Sequence, residues 1–429
     1  MKRIIAKALL ALTAAFTLVS GCECNHNDPD KTGYDRVLIM YEAGFNSLRN
    51  YIYEDIQDLK SGYAPAKKDK LAFLVVSHLA ETRDNYSVRT SPQLIQVYKD
   101  GKKGVVLDTL KAYEGNLSEP STMNTILSDI KRQFPSGHYG MVFSSHATGW
   151  LPVGYFTNPK DYEPSKSGAA RVAERPLPPG VFPYTERELL PGEPLTKSLT
   201  LTNFGSTAQE MELKDFKASI PMHLDYLLMD ACLMGCIEVA YELKDVCDQI
   251  GFSPAEILAD GFNYKSLAGH LLEKEVPDTR AVVDDYYQQY AAKTDRTDRS
   301  ATISLVDCTR LDALASACKT LFSKYSSAIA GLDPYDVQRY WRNQKHWFYD
   351  LEDILVQAGI DSGERSALTS ALNGCILYKA ATDEFLKGYG GFTIRTYCGF
   401  SMYLPCYGTA FLNGKYKELA WNKATGLVD

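Results

Sequence analysis

Short apolar runs alternate along the chain with stretches of helical spacing. Residues 37–41, 71–77, 139–145, 224–229, 249–253 and 301–306 read as strands. Residues 94–98 read as a further strand on a sheet edge. Between them, residues 42–59, 124–134, 230–246 and the Tyr-rich 281–292 space their apolar side chains as helices do. Continuous apolar runs predict strands covered on both faces. Strands interleaved with helices predict an α/β fold with a mostly parallel sheet flanked by helices.

Two segments depart from that alternation. Residues 151–197 hold nine of the chain's 19 prolines and keep neither a two-residue nor a helical period. A loop of that length inside a domain is either functional or disordered. Residues 311–380 are mostly helical in pattern and predict a helical C-terminal subdomain. The chain then returns to strand at 391–397 and 400–404 and closes on a helix near 415–424.

The N-terminus has its own signature. Lys2, Arg3 and Lys7 precede an apolar stretch at residues 8–19, which suits a secretion signal and is short for a membrane span. Small residues then lead into a cysteine, Leu18-Val19-Ser20-Gly21-Cys22. That order is similar to the bacterial lipobox, in which Cys22 becomes the lipidated first residue; an ordinary cleaved signal is the simpler alternative. The expectation is a signal peptide over 1–21, a polar tether over 22–33, and a globular remainder over 34–429. Such a protein would be held on the bacterial cell envelope by acyl chains, outside the cytosol.

Composition narrows the classes further. The 429 residues carry 46 Lys and Arg against 53 Asp and Glu, a net charge of −7. Removing the basic signal makes the rest more acidic still, which argues against general nucleic-acid binding. Eight of the ten cysteines lie beyond the signal junction. They show no CxxC spacing and no zinc-site arithmetic, so no metal site is predicted and buried free thiols are the default.

Candidate chemistry sits at the ends of two apolar strands. His146 follows the run at 139–145, within Ser144-Ser145-His146-Ala147-Thr148-Gly149-Trp150. Asp230-Ala231-Cys232 follows the run at 224–229, with a helical pattern immediately after. Sites in parallel α/β sheets gather beyond the carboxyl ends of strands. If these two strands are neighbours, His146 and Cys232 converge although they lie 86 positions apart in the chain. A nearby His and a helix N-terminus would both favour the thiolate, as an activated cysteine nucleophile requires. Taken alone, each residue is more often structural than catalytic: a hydrogen-bonded strand-end histidine, and a small buried cysteine at a strand–helix junction.

Asp230-Ala231-Cys232-Leu233-Met234-Gly235, followed by Glu238, Tyr241 and Glu242, resembles the clostripain family of cysteine peptidases around its nucleophile. Ser145-His146-Ala147-Thr148-Gly149-Trp150 is similar to the family's His-x-x-Gly-Trp segment. Supporting similarity lies at residues 37–48, in Ser253-Pro254-Ala255-Glu256, and in Gly399-Phe400-Ser401-Met402-Tyr403-Leu404-Pro405. The resemblance implies a caspase-like α/β sandwich in which Cys232 attacks the scissile carbonyl and His146 is the acid/base. It implies an oxyanion site from the backbone N–H groups of Ala147 and Cys232. It also implies that Asp230 lines an S1 pocket preferring Arg or Lys; as residues alone, Asp230 could equally cap the following helix. Self-cleavage between the His and the Cys is implied too, and 151–197 offers Lys160, Lys166, Arg171, Arg175, Arg187 and Lys197. No cofactor is expected, and calcium enters by family resemblance only. The sequence departs from the family at Ala147, where glycine is usual, and at Phe45, where an acid often precedes Asn46. A peptide or protein substrate and the membrane are the expected partners. A caspase-like hydrolase with another P1 preference, or a surface lipoprotein acting as a binding protein, remain the alternatives.

Overall fold

The computed structural model describes residues 33–79, 81–83, 86–88, 90–162, 210–342 and 346–429. The signal segment, Cys22 and the tether up to residue 32 lie outside them. So do residues 163–197 of the Pro-rich segment, with Lys166, Arg171, Arg175, Arg187 and Lys197. Among the described residues no helix is long and apolar enough to cross a membrane.

Nine strands form the central sheet: β1 (Arg36–Gly44), β2 (Leu71–Leu79), β3 (Gln93–Asp100), β4 (Gly104–Ala112), β5 (Tyr139–Ser144), β6 (Leu224–Asp230), β7 (Cys247–Phe252), β8 (Thr302–Asp307) and β9 (Ile376–Ala381). Their spatial order is β9-β8-β7-β6-β5-β1-β2-β3-β4. The five middle strands, β7, β6, β5, β1 and β2, run parallel, and the outer pairs on both sides are antiparallel. This is the expected helix-flanked α/β sheet with a parallel centre. Val37, Leu38, Ile39, Met40 and Tyr41 are all essentially inaccessible, as a strand covered on both faces requires.

Two groups of helices flank the sheet. Arg49–Asp58, Tyr264–Ala268 and Thr279–Ala291 pack together, and Ile237–Leu243, Leu311–Ala330 and Ala420–Thr425 form another packed group. Residues 34–429 make one compact unit.

Several boundaries differ from the sequence reading. The strand at 93–100 is not on the edge, because β4 lies outside it. Within 311–380, helices Leu311–Ala330, Leu351–Gln357 and Ser362–Cys375 are followed by β9, which joins the main sheet. The expected strands near 391–404 shrink to Phe392–Thr393 and Ser401–Met402, both outside the central sheet. The helix after β6 begins only at Ile237, with Cys236 as its N-cap.

Candidate active site

Register brings the two predicted residues together. In the parallel β5–β6 pair, Ser144 lies opposite Asp230. His146 and Cys232 are each two residues beyond that pair, so they leave the carboxyl ends of adjacent strands at equivalent positions. Gly140 faces Tyr226 in the same ladder, and the Tyr226 ring occupies the space a side chain at 140 would need.

The His146 loop is tied to both neighbours. Ser145 Oγ donates to the Ala43 carbonyl at 3.1 Å. His146 Nε2 meets Ser47 Oγ at 3.0 Å, in the turn after β1. Gly149 holds φ +66°, and a Cβ there would press on the Leu233 carbonyl and the Phe348 ring. Small size and left-handed backbone are thus both needed where this loop touches the Cys232 loop. Ala147 is half-buried in the same loop.

The Cys232 loop is pinned on two sides. The Leu233 N–H donates to Ala255 O and the Gly235 N–H to Ser253 O, while the Ser401 N–H donates to Gly235 O. Leu233 has φ +63°, a strained setting for a branched-chain residue that such surrounding bonds hold in place. Cys232 is fully buried, and its Sγ accepts the Ile257 N–H at 3.1 Å. The helix N-terminus expected beside Cys232 is four residues further on, at Cys236. Helix polarisation of this thiol, an effect confined to the first turn, is therefore corrected to local N–H donation. For the same reason Asp230 does not cap that helix.

Asp230 is fully buried rather than partly so. Its Oδ2 accepts the Tyr264 hydroxyl at 2.6 Å and the Phe262 N–H at 3.4 Å. Glu42 lies in the same register row, opposite Ser144, which is itself opposite Asp230. Burial, reinforced by Asp230, Glu42 and Asp55, pushes the Tyr264 hydroxyl well above its ordinary value and keeps it a donor. Burial, with Asp230 and Cys232 nearby, does the same for Tyr286, and Asp260 adds to the field at Tyr290. This end of the sheet is acidic and walled by tyrosines. Sequence reading missed Ser47, Glu42, Asp55, Asp260 and Tyr264, since nothing local marks residues that meet only through the fold. Phe45, the departure from the family pattern, stacks on His78 with centroids 4.5 Å apart.

The wall facing Cys232 is itself anchored. Ser253 Oγ and Ala255 N both reach Thr302 Oγ1, at 2.7 and 3.1 Å. Both carboxylate oxygens of Glu256 accept from one edge of the Arg342 guanidinium, Nε and Nη2, and both partners are largely buried. Among the described residues no group of three or more His, Cys, Asp or Glu converges as a metal site.

A sequence model of the clostripain family matches residues 40–161 and 198–414, well over half the chain. The chain belongs to the clostripain family. It is a cysteine peptidase with the caspase-like fold that the resemblance implied. An inactive zymogen C11 protease from Parabacteroides distasonis is 26% identical, with a TM-score of 0.69, over 92% of this chain and 99% of that one. A secreted C11 cysteine protease from Bacteroides thetaiotaomicron, solved with an irreversible peptide inhibitor, shares the fold at 22% identity and a TM-score of 0.69, over 91% and 98% of the two chains. Another structure of a secreted C11 cysteine protease from that organism, called iotapain, gives 24% and 0.68, over 92% and 99%. No curated protein shows significant similarity. The family segments recognised in the sequence all border this site: 37–48 supplies Glu42 and Ser47, 253–256 the facing wall, and 399–405 the strand bonded to Gly235.

Proposed function

We propose that this clostripain-family peptidase cleaves peptide bonds after Arg or Lys through His146 and Cys232. The observation that carries the reading is the register that sends both residues off adjacent parallel strands at the same level. In the proposed cycle Cys232 Sγ attacks the scissile carbonyl, and the resulting oxyanion takes hydrogen bonds from the backbone N–H groups of Ala147 and Cys232. Ser47 engages Nε2 of His146, so Nδ1 is assigned the transfer of a proton to the leaving amine. The peptide N-terminal to the cut is left as a thioester on Cys232. Water, giving its proton to His146, attacks that thioester and regenerates the thiol.

Asp230 is the proposed partner of the P1 cation, supported by Glu42, Asp55 and Asp260 in the same acidic end of the sheet. A buried carboxylate binds Arg bidentately or Lys as a point charge, and discriminates strongly against uncharged side chains. Maturation by self-cleavage within 151–197 fits the same preference and the burial of Cys232 against Ile257 in the uncut chain. The envelope anchor through Cys22 completes the proposal and rests on the N-terminal signature alone.

Arginyl and lysyl reporter peptides test this directly on protein lacking the signal segment. Cys232→Ala is expected to remove turnover. Asp230→Asn is expected to lower kcat/KM for basic P1 by about 100-fold or more, with far less effect on P1 Ala or Leu. Turnover by Cys232→Ala at the wild-type rate, or equal loss across all P1 residues, would refute the respective assignment.

A further inference from the structure

Glu238 is a buried acid beside both catalytic loops for which the proposed cycle has no use. It sits in the first turn of helix Ile237–Leu243 and is fully inaccessible. Its Oε1 accepts two hydrogen bonds, from the Tyr403 N–H at 2.9 Å and the Tyr416 hydroxyl at 2.7 Å. Among the described residues no hydrogen bond of ordinary geometry reaches Oε2.

Those two donors carry Trp150. Its ring stands edge-on to Tyr403 and Tyr416, with centroids 4.9 and 5.1 Å away. Trp150 ends the loop that begins at His146, and Gly149 beside it packs on the Leu233 carbonyl. On the other side, Cys236 is the N-cap of the helix that bears Glu238 and closes the Cys232 loop by bridging to Ser401. We propose that Glu238 is a positioning residue for proteolysis: by holding Tyr403 and Tyr416 on one oxygen it seats Trp150, and so sets the His146 loop against the Cys232 loop. This rests on the His–Cys reading above. A misplacement of that pair would cost rate more than binding.

The titratable groups facing Glu238 are the Cys236 thiol and the Tyr416 hydroxyl; Tyr403 offers only its backbone N–H, its own hydroxyl donating to Asn413 Oδ1. Cys236 and Tyr416 are pushed well above their ordinary values, chiefly by burial, while burial raises Glu238 to about 7. Glu238 is therefore the member that changes charge near neutrality.

The test compares Glu238→Ala, Glu238→Gln and Tyr416→Phe. Its readouts are kcat and KM on a lysyl reporter, the pH profile of Cys232 alkylation by iodoacetamide read by peptide mass, and the unfolding midpoint. Glutamine keeps a carbonyl for both donors; alanine keeps none. Expected for Glu238→Ala is a kcat loss of about tenfold or more, KM within about threefold, and an alkylation profile shifted toward that of an unpaired thiol. Glu238→Gln restores kcat to within about threefold of wild type and loses any titration step near pH 7. Tyr416→Phe shows a partial loss in the same direction, and decides the matter if Glu238→Ala does not fold. A lower unfolding midpoint with kcat and alkylation profile unchanged would overturn the proposal, as would a glutamine variant as impaired as alanine. Turnover in Cys232→Ala would instead overturn the dyad reading.

Discussion

The chemistry of individual side chains here is set by what burial does to them. Glu238 shows it most simply. Its folded-state value of about 7 stands above the ordinary 4.5 because burial disfavours the carboxylate more than two hydrogen bonds favour it. A carboxyl raised on folding gives stability that is complete below its unfolded value and is lost as pH rises through the folded one. Wild-type unfolding free energy is therefore expected to fall, relative to Glu238→Gln, as pH climbs from about 4.5 through 7. Denaturant titrations of both proteins at several pH values check this; parallel curves would contradict it. At this scale the sequence marked His146, Cys232 and Asp230 as candidates, because each stands just past the end of an apolar run. It could not reveal Ser47 on His146 or Tyr264 on Asp230. Those bonds span 99 and 34 positions and exist only once the strands are in register.

Among the elements, strands with two covered faces were legible and partly exposed ones were not. β1, β2 and β6 are mainly apolar runs buried along almost their whole length, with only Arg36, Leu71, Leu79 and Asp225 partly exposed. β4 is largely exposed and reads Gly-Val-Val-Leu-Asp-Thr-Leu-Lys-Ala, an apolar start broken by Asp108, Thr109 and Lys111 that lacks the continuous run of a strand covered on both faces. β9 was hidden at the end of a helical stretch because it too is only partly buried. The helix expected directly after Asp230 was delayed because bonds to Ser253, Ala255 and Ser401 hold the intervening residues in a loop. The pairing of β5 with β6 matters most, since it aligns His146 with Cys232. Gly140 makes that pairing possible by leaving room for the Tyr226 ring. Gly140→Ala is expected to destabilise the fold by about 1–3 kcal/mol or more, the usual cost of overpacking. It should also reduce activity per folded molecule, because the strands that aim the site are forced apart. A denaturant midpoint equal to wild type would show that the tyrosine moves aside freely.

Taken whole, the molecule places segments from several distant parts of the chain around one acidic end of a parallel sheet. Fold class was readable in advance, and so was the exit of residues 146 and 232 from the same end of the sheet, because parallel α/β sheets align their strand ends. The acidic, tyrosine-lined surroundings were not, since they assemble from β1, the helix after it, the 253–268 segment and the helix Thr279–Ala291. The central claim is that Cys232 is the nucleophile and that His146 activates it. The most direct measurement is the site of covalent attachment when an irreversible lysyl or arginyl peptide inhibitor reacts with purified protein, read by peptide mass on wild type and on His146→Ala. A single adduct on Cys232, formed by wild type and at least about 100-fold more slowly by His146→Ala, is the predicted result. An adduct on a different residue, or equal rates in the two proteins, would contradict it.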